Sequence, residues 1–224
     1  MCFLHHISGA FTHQPEELKA KIGTKARDLI KRSFDDIDPA LLVDYHTHVA
    51  GIGKGTEAFV NPKMFAWRHP LHRLKLKIYL SNNQDLDDLQ RRRLPNFDLF
   101  LRLLDEKRYE GLLFADISAM TQYNRRGKPL TTILQREDLH ERLVNGSDYP
   151  LPAINVLIRT GTLVRQGYIT TEQRACLNEI YDYNPLLFDF ALKRAIKIPG
   201  TAKRLPASIF MNNSSLDVGI SRSR

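Results

Sequence analysis

Cysteine is scarce: Cys2 and Cys176 are the only two in 224 residues. Two thiols cannot build a disulfide framework, and these lack the paired spacing of a cysteine zinc site. A reducing compartment, the cytoplasm, is expected. Long apolar runs are also missing. No segment approaches 18 uninterrupted apolar residues, so no membrane-spanning helix is expected. The opening "MCFLHHISGAF" has no basic start and is broken by His5 and His6; the expectation is a soluble chain without a targeting signal. The glycines of "GIGKGTEAF" fit neither the phosphate-loop pattern nor a dinucleotide fingerprint, which argues against a nucleotide cofactor.

What is present is enough apolar residue, 42%, to bury a real core. The formal charge of +8, from 33 Lys and Arg against 25 Asp and Glu, would suit an anionic partner. Yet the basic residues are spread along the chain, densest at Arg91-Arg92-Arg93 and between Arg68 and Lys77. No helix-turn-helix, paired-cysteine or glycine-aromatic signature accompanies them. Neither nucleic acid nor a membrane is expected as partner, and the charge reads as a solvated surface.

Along the chain, residues 1–35 form a helical lead-in, with Leu18, Ile22, Leu29, Ile30 and Phe34 at roughly helical spacing around Gly23. Residues 36–80 hold a buried parallel strand, "LLVDYHTH", and a following loop region in which "LKLKIYL" is a strand or a short helix. The polar stretch 81–95 reads as a linker or junction. Residues 96–211 carry a helix opened by Asn96 as N-cap, a second strand "GLLFADIS", and a third beginning at Leu143 and ending at Asp148. Helices follow, one with a Thr170/Gln173 capping box and one with Pro185 in its first turn. Residues 212–224 read as a disordered tail.

Two motifs carry chemistry. Side chains i and i+2 share a face of a strand, so His46 and His48 point the same way, with Asp44 below them. Two neutral imidazoles on one face can chelate a divalent cation, completed by carboxylate and water at a catalytic site. Taken alone, a His-x-His pair more often merely closes a strand. The second motif, "NGSDYP", sets Asp148 at the end of an apolar strand before a proline-bearing loop, where barrel enzymes gather their active sites. Alone, that aspartate could equally cap the helix that follows. Asp116 and Ser118 end the "LLFADIS" strand on one face and are second-rank pocket candidates. His69, His72 and His140 read as surface residues.

Taken in this order, "VDYHTH" and "NGSDYP" resemble the amidohydrolase superfamily, metal-dependent hydrolases of TIM-barrel fold, in the branch whose last strand reads Gly-Ser-Asp-Tyr-Pro. "GLLFADISAM" looks like the strand before the last, and "NEIYDYNPLLFDFALKR" like the helical tail after it. The resemblance covers about 36–60 and 94–196. It implies His46, His48 and Asp148 as metal ligands, with Asp148 also the general base, and a divalent ion: zinc first, manganese or iron as alternatives. It further implies hydrolysis of an amide, ester or lactone-like bond in a small molecule, or a related decarboxylation.

The length departs from the pattern. A complete barrel runs to about 250 residues, so roughly 180 should separate its first and last strands, whereas 100 positions separate His48 from Asp148. The expected fold is therefore α/β, an incomplete (β/α) barrel lacking several middle strand-helix units and the further ligands these supply. Closing it would need another copy of the chain or a partner, so a homo-oligomer is one expectation. Two functional classes follow: a hydrolase working through the three named ligands, or a non-catalytic remnant of that family.

Overall fold

Gly23, which interrupts the first helical pattern, stands at the start of a helix. Thr24–Ser33 (α1) follows it and buries Ala26, Leu29 and Ser33. Lys31 and Arg32 in its last turn complement the helix dipole. The computed structural model describes residues 16, 20–46, 96–123, 125, 127–149, 151–153 and 157–211, the side chains of Asn96 and Leu99 excepted. Expectations on His48, His69, His72, the 74–80 run, the 81–95 junction and the tail from 212 lie outside the described residues.

The chain divides into two units, Met1–His48 with Glu106–Arg224, and Val49–Asp105. The described part of the second is the helix Asn96–Asp105 (α2), where Phe97 and Phe100 stack with ring centroids 5.9 Å apart. Asn96, expected as its cap, is its first helical residue, a one-position difference of the usual kind.

In the first unit the helices Lys128–Gln135 (α3), Thr160–Arg165 (α4), Thr171–Tyr183 (α5) and Pro185–Ala195 (α6) follow one another. The expected capping box is present: Gln173 N donates to Thr170 Oγ1 at 3.0 Å and Thr170 N to Gln173 Oε1 at 2.8 Å. Asn184 Oδ1 caps α6 by accepting from the backbones of Leu186 and Leu187, and Pro185 costs nothing at the first helical position. Helix α6 is buried at Pro185 and throughout Phe188–Ala195 because α1 and α5 both pack on it. Phe190 is the centre of that packing, 4.9 Å from Phe34 and 5.6 Å from Phe210 between ring centroids. Beside it the buried Arg194 donates to the carbonyls of Ser33 and Asp35, tying the end of α1 to α6.

The sheet is small. Ala115–Asp116 (β1) pairs in parallel with Leu143–Val144 (β2). Beyond β2 the chain meets residues 43–46: Tyr45 N donates to Asn145 O at 2.9 Å, and Asp148 N to His46 O. Residue numbers rise together, so these segments also run parallel. Three segments thus lie side by side, 115–117, 143–148 and 43–46, with their carboxyl ends together.

Each is shorter as a strand than its apolar run suggests. Asp38 accepts from Ala40 N and Pro39 starts a 3-10 turn through Leu41, so Leu41 and Leu42 are 46% and 36% exposed where a buried strand was expected. In "GLLFADIS" the amides of Leu112 and Leu113 are taken by Tyr109 O, which leaves two residues for the ladder. Among the described residues no closed barrel is traced. The reading of His140 as a surface residue is corrected: it is buried, and its Nε2 lies 3.0 Å from Ile133 O near the end of α3.

Candidate functional site

The three carboxyl ends bring together His46, Asp116, Ser118 and Asp148. Asp44 prepares the first. Its Oδ1 accepts from His46 N at 3.1 Å and from Ser147 N at 2.9 Å, so it bridges two backbones and is not a third group on the histidine face. On the opposite segment Asp148 N donates to His46 O, and Asp148 takes a left-handed φ of 55° that aspartate tolerates better than most side chains. Gly146 between them is required by space: a Cβ there would stand 2.7 Å from His46 Cβ.

The His46 ring lies between two carboxylates. Its Nδ1 is 2.9 Å from Asp116 Oδ2 and 3.3 Å from Ser118 Oγ. Its Nε2 is 3.6 Å from Asp148 Oδ1. A carboxylate can only accept, so Asp116 draws the ring proton to Nδ1 and leaves the Nε2 lone pair facing Asp148. The hydrogen bond to Asp116 holds the His46 pKa above its ordinary value; partial burial opposes this, and the charges of Asp116, Asp148 and Asp44 add to it. At Asp116 burial pushes the carboxyl up, but the hydrogen bonds from Ser118 and His46 overcome it and leave the pKa below the usual range. Ser118 N reaches Asp116 Oδ1 at 2.6 Å, which fixes the carboxylate toward the ring.

This donor set suits a metal in two respects. Two ligand atoms about 2.1 Å from a tetrahedral zinc stand about 3.4 Å apart, close to the 3.6 Å between His46 Nε2 and Asp148 Oδ1. Metal-bound histidines commonly donate their other ring N–H to a carboxylate, as Nδ1 does to Asp116. Among the described residues no group of three His, Cys, Asp or Glu stands ready to hold an ion, and His48 lies outside them.

The structure therefore brings His46 and Asp148 together and promotes Asp116 and Ser118 from pocket candidates to direct partners of the ring. Sequence reasoning missed Asp189 and Lys193. Lys193 is fully buried and donates to Asp189 Oδ2 at 2.5 Å and to Gly146 O at 2.6 Å. Burial pushes the Asp189 carboxyl up, against the opposing pull of Lys193. The signal was an acid and a base four residues apart inside the apolar "LLFDFALKRAI". A separate cavity of about 410 Å³, lined by Arg159, Arg174, Asn178 and Asp182 among others, includes none of the site residues.

Among the described residues no helix is long and apolar enough to cross a membrane. The chain matches no family model, no curated protein and no solved structure.

Proposed function

We propose that the chain is a metal-dependent hydrolase acting on an amide, ester or lactone-like bond of a small molecule. The observation that carries this is the setting of the His46 ring, with Nδ1 held by Asp116 and Nε2 facing Asp148 at 3.6 Å. His46, Asp148 and, by the sequence motif, His48 would hold a divalent ion, zinc first, with manganese or iron as alternatives. Such an ion lowers the pKa of a water it binds to about 7. On the protein side, Asp148 accepts the proton of the attacking water and returns it to the leaving group. Asp116 keeps the ring proton on Nδ1, so that Nε2 stays available as a ligand. Ser118 holds Asp116 in that orientation through its backbone N–H.

The same reading takes the fold as a shortened (β/α) barrel. It draws on the three parallel segments whose carboxyl ends meet at the site, the end where barrel enzymes place their chemistry. A second copy of the chain would be one way to cover the remaining sheet edges. Neither nucleic acid nor membrane enters the proposal. The proposed compartment is the cytoplasm, where a buried thiol such as Cys176 stays reduced.

A second reading, a non-catalytic remnant of such an enzyme, draws on the lack of a three-ligand group among the described residues. Elemental analysis of the purified chain, with His46→Ala and His48→Ala beside it, separates the two. The hydrolase reading expects about one zinc, manganese or iron per chain, lost in either variant. A chain that holds no metal after loading would leave the remnant reading standing.

A further inference from the structure

We infer that Lys193, held by Asp189, is a positioning residue for Asp148, fixing the Gly146–Ser147 peptide group one residue ahead of it. This rests on the proposed metal-hydrolase reading for its functional meaning.

A lysine is rarely buried without a partner, and Lys193 is 0% exposed in the last turn of α6. Its ammonium meets Asp189 one helical turn back and reaches out of the helix to Gly146 O at 2.6 Å. The carbonyl of Gly146 and the N–H of Ser147 belong to one planar peptide group. That N–H is taken by Asp44 Oδ1 at 2.9 Å. The plane is therefore gripped at both ends, by a cation on its oxygen and an anion on its nitrogen. With the plane unable to rotate, the chain enters Ser147 in one direction; the next peptide is held by Asp148 N on His46 O, and the left-handed φ of 55° turns Asp148 toward His46. A buried ion pair is weak support for stability, since well-packed apolar residues of similar volume often serve as well or better. The pair's particular contribution is the reach to Gly146.

Two variants test this. Lys193→Met removes the grip but strands Asp189 as a buried acid. The double variant Asp189→Leu/Lys193→Met removes both charges together and is expected to unfold in urea close to the wild type. In the double variant the amides of Ser147 and Asp148 should exchange with solvent at least 10-fold faster, while those of α6 keep their protection. Cobalt(II) affinity, read from the visible spectrum of the cobalt-loaded chain, should fall 10- to 100-fold, as for other residues that orient a ligand. Unchanged exchange at Ser147 and Asp148 in a folded double variant overturns the inference. If the wild type binds no cobalt, the hydrolase reading fails while the exchange data still decide the positioning claim. Should neither variant fold, the wild type decides: a through-hydrogen-bond NMR coupling between Lys193 Nζ and the Gly146 carbonyl carbon is expected, and its absence overturns the inference.

Discussion

Gly146→Ala would set a methyl carbon 2.7 Å from His46 Cβ and 3.1 Å from Asp116 Oδ1. Carbon atoms pack comfortably at about 3.5–4.0 Å, so the contact with His46 must open by about 1 Å. Little around it can yield. The His46 backbone is held by Asp44 and by Asp148, and its ring by Asp116. Overpacking of this kind costs about 1–3 kcal/mol, and losing one backbone hydrogen bond between the segments adds about 1 kcal/mol. Alanine regains about 0.4–1 kcal/mol by restricting the unfolded chain. Strain wins, by about 1–3 kcal/mol. With a urea slope near 2 kcal/mol/M, the unfolding midpoint should fall by about 0.5–1.5 M, and the His46 ring resonances should shift. An alanine variant as stable as the wild type, with unmoved His46 resonances, would refute the argument that glycine is required by the approach of the two segments.

Two other outcomes follow from the geometry. In the metal-free chain His46 should titrate above its ordinary pKa, and Asp116→Asn should bring it back down. Because the folded value is the raised one, the stabilisation is full below about pH 6.5 and is lost as pH climbs through the folded pKa. Ring NMR titrations of both proteins check this, and identical titration curves would sink it. Thr170→Ala removes the acceptor for Gln173 N and should cost about 1 kcal/mol, or about 2–4 °C of thermal midpoint. Thr170→Ser should keep most of it, and an alanine variant that melts with the wild type counts against the cap.

The helical half was the more legible in sequence, because helices announce their ends locally. Thr170 and Gln173 form their box within four residues, and Asn184 with Pro185 opens α6 by side-chain chemistry at one position. Strand boundaries were less so. Apolar runs such as "GLLFADIS" did not show that Leu112 would be 78% exposed or that Tyr109 O would claim the amides of Leu112 and Leu113. At the site, His46 and Asp148 stood out by motif. Asp44 was placed only by its register below the histidines, because the partner its carboxylate accepts from, the backbone of Ser147, lies 103 positions away. The spacing of Asp189 and Lys193 was legible in the helix, but not the reach of Lys193 to Gly146, 47 positions away. The burial of Lys193 depends on α1 and α5 closing over α6, which no local pattern records.

The way the site is stitched also sets an order in time. Helices α5 and α6 meet through residues adjacent in the chain. His46, by contrast, meets Asp116 across 70 positions. Contacts so distant in sequence must first overcome the entropy of closing a long loop, and chains dominated by them fold slowly. The α5–α6 pair can therefore form before the histidine and its carboxylates find one another, whereas α1, joined to α6 by Arg194 and Ser33 across 161 positions, has a longer loop still to close.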